Sequence, residues 1–268
     1  MSKLSLAKWL NNLQQEGQYS FTREEALSVL KCSEQGLSVS IGRLVHKKRI
    51  MNIRTGFYVI VPFEYSYHGI LPPTWFINPL MKYLHRDYYV GLLSAASFYG
   101  AAHQAPQVFQ VITDRTLKEV SFKNLNIRFY KNKHIGKVPT EQRMTETGYI
   151  QVATPAVVAL DLVKYQQESG GLSNVAMVLS ELMESMNIRF LTDIIKSGLY
   201  ESTIVQRLGF ILQSLDEKGA KYAEAIYNAS NNIYRFKNTV LDIQSPIKNG
   251  RLDPKWHVIV NETLEMDL

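Results

Sequence analysis

Polar and small residues gather in a short stretch near position 40, and their types are those that read the edges of DNA bases. Gln35 and Arg43 carry side chains that pair with adenine and guanine, respectively, in the major groove. Gly42 has no side chain, so the backbone could approach the base pairs there. The residues of this stretch that we expect to contact DNA are Gln35, Ser38, Val39, Gly42, Arg43 and His46.

Cations follow this stretch directly. The run Lys47-Lys48-Arg49 closes it, and Arg54 lies a few residues further along the chain. Contacts from Lys, Arg and hydroxyl groups to phosphates fix the position of a protein on a duplex. The expected phosphate contacts are Tyr19, Ser20, Lys47, Lys48, Arg49 and Arg54.

Two predicted helices precede the base-reading stretch. Apolar residues recur at helical spacing from Leu4 to Leu13, and the first helix ends at Gly17. Thr22 and Glu25 stand in the relation of a capping box, which predicts the start of a second helix. That helix is expected to end near Cys32.

The base-reading stretch is itself a predicted helix, with Ser33 as its N-cap. Residues 50–61 then alternate as two short strands around a turn at residues 54–56. Residues 1–62 thus contain three predicted helices followed by a hairpin. This is the order of elements in a winged helix-turn-helix, whose third helix enters the major groove. Leu37, Ile41, Leu44, Val45 and Lys48 fall on one side of this third helix at steps of about 100° per residue, opposite Gln35, Val39, Gly42, Arg43 and His46.

A second interpretation stays open for this segment. Winged helices also serve as protein-interaction modules, in which case the fold is only a scaffold and the basic run is a solvated helix end. The charge distribution favours DNA: residues 1–62 hold 9 basic and 4 acidic residues, and residues 138–268 hold 12 and 16. Such an asymmetry of charge is typical of a protein whose basic front half binds a polyanion.

Composition excludes several other classes of protein. The chain has 268 residues with 46% hydrophobic and 20% charged residues, which is typical of a globular protein. The single cysteine, Cys32, cannot form an intramolecular disulfide. No signal peptide and no apolar stretch of about 18 residues is evident. We therefore expect a cytoplasmic protein without a membrane segment.

A second group of cations lies in the middle of the chain. It contains almost no acidic residues, and three interpretations stay open: an extension of the DNA footprint, a site for another polyanion or antitoxin surface, and a solvated face. The members considered as a surface are Arg115, Lys118, Lys123, Arg128, Lys131 and Lys133.

The pattern of residues along the rest of the chain predicts an α+β fold. Residues 63–73 have the composition of a linker, and residues 74–268 form a larger domain. Within it we expect a mixed sheet over 74–150, a mainly helical part over 151–239, and terminal strands over 240–268.

Enzyme motifs are not found. No phosphate-binding loop, dinucleotide fingerprint or nucleophile elbow is present, and the six histidines lack metal-ligand spacing. A nuclease would need an acid at a strand end and an acid-x-Lys pair. Asp114 could supply the first, but Asp161 and Lys164 are three residues apart on a predicted helix. We expect no catalysis, no cofactor and no metal.

Four stretches resemble the AbiEi antitoxin family of bacterial abortive-infection systems. The most specific is Tyr88-Tyr89-Val90-Gly91-Leu92-Leu93-Ser94-Ala95-Ala96, with Gly100 and His103-Gln104-Ala105-Pro106-Gln107 after it. The others are Arg54-Thr55-Gly56-Phe57-Tyr58, Thr154-Pro155 through Asp161-Leu162-Val163, and Arg207-Leu208-Gly209-Phe210.

The resemblance implies an antitoxin of a type IV toxin–antitoxin system that acts in phage defence. It further implies that the winged helix binds inverted repeats in the promoter and represses its own operon. The C-terminal domain would counter a nucleotidyltransferase-like toxin without a stable complex. In one respect this chain departs from the family, which often has Gly after the recognition helix where this chain has Lys48.

Overall fold

The computed structural model describes residues 4–66, 71–102, 106–122, 125–247 and 250–264. Helices and several sheets are both present, so the predicted α+β class is confirmed. Contacts divide the chain into two units. Unit 1 comprises Met1–Tyr89, Gln107–Lys133 and Gln142–Gln151, and unit 2 comprises Val90–Pro106, His134–Glu141 and Val152–Leu268.

Unit 1 begins with the three predicted helices, which are α1 (Leu6–Gln15), α2 (Arg23–Leu30) and α3 (Glu34–His46). Each has a side-chain N-cap, since the hydroxyls of Ser5, Thr22 and Ser33 each accept a hydrogen bond from a backbone N–H of the first turn. The predicted capping box is confirmed: Glu25 Oε2 accepts from the Thr22 N–H at 2.7 Å. Local sequence therefore fixes where these helices start.

A three-stranded antiparallel sheet packs with these helices. Its strands are β1 (Ser20–Thr22), β2 (Ile50–Arg54) and β3 (Phe57–Ile60), in the order β1-β3-β2. The predicted hairpin is confirmed as β2 and β3. Strand β1 was not predicted, because three residues are too short to show a period and their pairing with β3 is non-local.

The core between these helices and strands is aromatic. Phe21 lies between Trp9, whose ring meets it edge-on at 5.4 Å, and Tyr58, which stacks on it at 5.2 Å. Leu37 and Ile41 of α3 are buried in the same cluster. One side of α3 is thus fixed in the core, which determines the side that it presents outward.

Unit 1 continues with short helices and a larger sheet. The predicted linker contains α4 (Phe63–Ser66), and α5 (Ile77–Tyr83) follows a 3₁₀ turn. This helix contains a proline without being interrupted by it. Pro79 lies in the first turn of α5, where a backbone N–H has no intrahelical partner to lose.

Six strands that lie wholly or mostly in unit 1 form the larger sheet, in the order β6-β7-β5-β4-β9-β8. Strands β5 and β7 pair in parallel from Phe109↔Ile127 to Thr113↔Lys131, and β6 pairs antiparallel with β7. Parallel and antiparallel pairs both occur, in the region for which a mixed sheet was predicted. The six strands are β4 (Tyr88–Val90), β5 (Phe109–Thr113), β6 (Val120–Phe122), β7 (Leu125–Lys131), β8 (Thr140–Thr145) and β9 (Gly148–Ala153).

Unit 2 is mainly helical over the predicted region. Pro155 opens α7 at its first position after the N-cap Thr154, as predicted. Nearly the whole of α7 is buried, so it forms the centre of this unit. The helices are α6 (Leu92–Ala96), α7 (Pro155–Lys164), α8 (Gly171–Leu182), α9 (Ile188–Lys196), α10 (Ser202–Gln213) and α11 (Glu217–Ser230).

A small terminal sheet closes unit 2, as predicted, with β10 (Thr239–Val240), β11 (Arg251–Asp253) and β12 (Val258–Val260). Trp256 is fully buried against α10, directly over Gly209, where a Cβ would overlap the indole ring. Gln206 Nε2 donates to the carbonyls of Lys237 and Trp256, both at 2.8 Å. These contacts attach the C-terminal segment to α10.

Candidate nucleic-acid interface

The outward side of α3 carries the residues that the sequence predicted to contact DNA, including the two base-contact candidates Gln35 and Arg43. Leu37 and Ile41 are buried, while Val39 is 54% exposed. Polar and small residues surround Val39, with nothing within 4 Å of where a Cβ on Gly42 would lie. The six residues of α3 that are predicted to contact DNA are all exposed: Gln35, Ser38, Val39, Gly42, Arg43 and His46.

Arg23 was not among the site residues predicted from the sequence, and it lies against the start of α3. Its Nη2 donates to Ser38 Oγ at 2.7 Å and to the Glu34 carbonyl at 3.2 Å. Its backbone N–H donates to the carbonyl of Gly56 in the hairpin turn at 2.8 Å. The helix dipole disfavours a cation at the first position of α2. This unfavourable position is the sequence feature that could have indicated a role for Arg23 outside its own helix.

The end of α3 carries exposed cations, as predicted for Lys47 and Lys48. Lys48 adopts a left-handed backbone with φ of 56°, the conformation that the family's glycine would favour. Helical spacing placed Val45 and Lys48 on the same side as the buried Leu37 and Ile41, but both are exposed. Val45 is 40% exposed, and Lys48 lies beyond the last helical residue, so the 100° spacing no longer applies to it.

Arg49 is half-buried rather than free for phosphate. Its Nη2 donates to Asn11 Oδ1 of α1 at 3.2 Å, and its Nε is buried without a partner among the described residues. Arg49 thus ties the end of α3 to α1. Tyr19 is also half-buried, with its ring 4.7 Å from that of Trp75.

Ser20 requires a correction. The sequence placed it before α2 as a hydroxyl donor to phosphate, but Ser20 lies in β1 and is 4% exposed. Pairing of β1 with Val59 of β3 turns this side chain into unit 1. It is therefore inaccessible to a phosphate in this structure.

Arg54 requires a second correction. The expected wing-tip cation belongs to β2, and its guanidinium donates to the carbonyls of Lys118 and Glu119. It also lies over the Phe129 ring, 5.8 Å from the centroid. This burial lowers the pKa of Arg54 from its ordinary value. Nη1 and Nη2 thus each have a carbonyl partner within unit 1.

The hairpin turn next to Arg54 is also held. Tyr83 Oη donates to the Thr55 carbonyl at 2.8 Å, and a Cβ at Gly56 would lie 2.5 Å from the same hydroxyl oxygen. Gly56 has φ of 80°, so both its conformation and its surroundings require glycine. The hairpin turn is thus held by other residues of unit 1.

The second basic group lies on the larger sheet of unit 1. Arg128 forms an ion pair with Glu119 at 3.3 Å, and Arg115 Nε lies 3.7 Å from Asp114, which also pairs with Arg86 at 3.4 Å. Lys123, like His103-Gln104-Ala105 of the middle motif, lies outside the described residues. The exposed members among the described residues are Arg115, Lys118, Arg128, Lys131 and Lys133.

Asp114 and Asp161, the acids considered for a nuclease, are each engaged by other residues. Asp114 follows β5, as predicted, but pairs with arginines. Asp161 is fully buried in α7 and accepts from Tyr200 Oη at 3.0 Å. Burial, together with the carboxylates of Asp161 and Glu168, raises the pKa of Tyr165. Among the described residues, no cluster of three potential metal ligands occurs.

Comparison with known proteins identifies the class. Residues 89–214 match the family model described as "AbiEi antitoxin C-terminal domain", which supports an antitoxin role in a toxin–antitoxin system. The resemblance to the AbiEi antitoxin family is confirmed. No curated protein sequence matches significantly. Among the described helices, none has the length and apolar character to cross a membrane.

A solved structure shares the fold. The RV2827C protein from Mycobacterium tuberculosis aligns with a TM-score of 0.68 and 12% sequence identity. The alignment covers 94% of this chain and 90% of that one. At this identity the similarity describes the fold alone.

Proposed function

We propose that residues 4–61 are a winged helix-turn-helix that binds duplex DNA through α3. The observation that carries this proposal is the two-sided character of α3, with Leu37 and Ile41 in the core and a polar, glycine-containing side exposed. An α-helix that is exposed along one side fits the major groove. The order of helices and strands before and after α3 supports the same assignment.

Within this proposal the contacts divide into two groups. Gln35 and Arg43 read adenine and guanine edges, and Val39 contacts a thymine methyl group. Lys47 and Lys48 at the exposed end of α3 bind phosphates. Ser20 and Arg54 are removed from the proposed footprint, because their polar atoms are buried or bonded within unit 1.

We further propose that the DNA is the promoter of the chain's own toxin–antitoxin operon, bound at inverted repeats and repressed. The antitoxin domain would then counter a nucleotidyltransferase-like toxin in phage defence, in the cytoplasm and without a stable complex. The match over residues 89–214 supports the antitoxin part of this proposal. No catalytic step of the chain's own is required.

The DNA-binding proposal is tested by fluorescence anisotropy with the duplex upstream of the chain's own reading frame. We expect the full chain to bind this duplex more tightly than a scrambled one, and Arg43→Ala to lose about 1–3 kcal/mol of that preference. Lys196→Ala, an exposed cation of α9 in unit 2, is the control. Equal binding of both duplexes would contradict the proposal.

The antitoxin proposal is tested by growth of cells that express a neighbouring nucleotidyltransferase-like gene with or without this chain. Rescue of growth without co-purification of the two proteins is the expected result. A stable complex with the toxin, combined with no DNA affinity, would instead favour the winged helix as a protein-interaction scaffold.

A further inference from the structure

The terminal sheet of unit 2 has two edges, of which the described residues cover one. At the β10 edge, Arg207 of α10 donates from Nε to the Val240 carbonyl at 2.7 Å and from Nη2 to Thr239 Oγ1 at 3.1 Å. At the opposite edge, β11 pairs with β12, and no other described strand lies beyond it. An uncovered strand presents backbone N–H and C=O groups that can pair with another chain.

The residues of β11 leave this edge open to pairing. The strand is Arg251-Leu252-Asp253, and it contains neither the lysine nor the proline with which many edge strands block association. Arg251 and Leu252 are exposed, and Arg251 makes no ion pair with any described residue. Asp253 also fixes the turn after the strand, since its Oδ1 accepts from the N–H groups of Lys255 at 3.0 Å and Trp256 at 2.7 Å.

Aliphatic side chains form a row across one face of the terminal sheet. Leu252 lies opposite Ile259 of β12, and Ile259 lies opposite Val240 of β10, so the three side chains share a face. Leu252 is 43% exposed, and the other two are half-buried. The row is therefore open to solvent and most exposed at the uncovered edge.

The loop between β10 and β11 adds two exposed isoleucines, Ile243 at 61% and Ile247 at 60%. This loop is fixed beside the row by Asn261, which directly follows β12 and donates to the carbonyls of Asp242 at 2.8 Å and Ser245 at 2.7 Å. Exposed aliphatic groups that lie together on a rigid support are typical of a protein–protein contact.

Strand β11 is complementary to a second copy of itself. When two copies pair antiparallel about a two-fold axis, Leu252 meets Leu252, and Arg251 of each copy meets Asp253 of the other. Opposite charges that face each other across strands stabilise such a pair, and like charges destabilise it. A parallel pairing in register would instead place the like charges together. The order of charges in β11 thus selects the antiparallel two-fold arrangement.

We propose that two copies of the chain associate through β11, which joins their terminal sheets into one continuous sheet. The aliphatic row of one copy then continues into that of the other. The contact is short, so the expected species is a dimer in equilibrium with the monomer rather than an obligate dimer. This association does not require that α3 binds DNA, and it goes beyond the proposed function.

The experiment is sedimentation velocity of the full chain over a range of concentrations up to about 100 µM. We expect the wild type to show a reversible dimer. Leu252→Lys places two ammonium groups opposite each other at the centre of the contact, and it should weaken the dimer about tenfold or more. The matched control is Val29→Lys in α2, where an aliphatic residue with a similar exposure of 46% receives the same charge.

Disulfide cross-linking in a Cys32→Ser background tests the register. Leu252→Cys should cross-link two copies on oxidation, because facing residues of antiparallel strands lie about 4.5–5.5 Å apart at Cα. Arg251→Cys should not cross-link efficiently, since its counterpart in the other copy is displaced by two positions, beyond the limit of about 7 Å for a disulfide.

The proposal is overturned if the wild type stays monomeric at every concentration, or if Leu252→Lys dimerises as well as the wild type and Val29→Lys. Cross-linking through Arg251→Cys as efficient as through Leu252→Cys also overturns it. If the wild type is monomeric and Leu252→Lys, unlike Val29→Lys, loses toxin neutralisation, then this edge binds a different protein and the second copy is excluded.

Discussion

Arg23 donates from its guanidinium to Ser38 Oγ at 2.7 Å, so the first residue of α2 holds the exposed side of α3. The same residue donates its backbone N–H to Gly56 in the hairpin turn. One arginine therefore joins the proposed base-reading helix to the hairpin turn. This relationship sets the geometry on which the proposed DNA contacts depend, and it leads to the first prediction.

Replacing Arg23 with Ala is expected to weaken operator binding about fivefold or more, because α3 loses its link to the wing. Stability should fall by less than about 1 kcal/mol, since the hydrogen bonds are at an exposed site. Anisotropy and urea unfolding measure the two effects. Ser38→Ala removes the same bond from the other side, and a normal affinity in both variants would contradict this role.

Gly42→Ala should have opposite effects on stability and binding. A methyl group at this exposed helical position meets nothing within 4 Å, and alanine favours a helix by about 0.5–1 kcal/mol over glycine. The same methyl group would hold the backbone of α3 away from the base pairs. We expect a higher free energy of unfolding together with weaker operator binding. Unchanged binding would show that this part of α3 does not approach the DNA.

Variants of Arg54 test whether its side chain holds the hairpin in place or contacts phosphate. Arg54→Ala is expected to destabilise the chain by about 1–2 kcal/mol, through loss of two carbonyl bonds and the contact with Phe129. Arg54→Lys should restore little of this, because a single ammonium group cannot reproduce the guanidinium fork. A lysine variant with normal stability and normal DNA affinity would indicate that only the charge matters.

Lys48 is expected to be strained in its left-handed conformation. Lys48→Gly should raise the free energy of unfolding by about 0.5–1 kcal/mol, since glycine adopts this conformation without a Cβ penalty. Lys48→Ala removes the same charge but keeps the Cβ, so it serves as the control. Both variants should make the salt slope of DNA binding shallower by about 1. Equal stability of the two variants would contradict the strain argument.

Local features of unit 1 were predictable because their causes lie within a few residues. The capping box of Thr22 and Glu25, the N-cap Ser33 and the turn at Thr55-Gly56 all depend on near neighbours. The exposed side of α3 followed from helical spacing up to Leu44. Beyond His46 the helix ends, and for that reason the placement of Lys48 was wrong.

Non-local pairing was not predictable from the same patterns. Strand β1 buries Ser20 through its contact with β3, and Arg54 finds its partners 64 and 65 residues further along the chain. Neither a three-residue strand nor a single arginine carries a period from which such contacts follow. Strands β4 and β9 likewise form a parallel pair at Val90↔Val152, which no local spacing indicates.

The proposed recognition of bases by α3 can be tested by asking whether Arg43 reads a guanine. Anisotropy is measured for wild-type protein and Arg43→Ala on the upstream duplex, with individual guanines replaced by 7-deazaguanine. We predict that the replacement at one guanine in each half-site weakens the wild type by about 1–3 kcal/mol and leaves Arg43→Ala almost unaffected. If every replacement weakens the two proteins equally, then α3 does not recognise bases through Arg43, and the central claim is wrong.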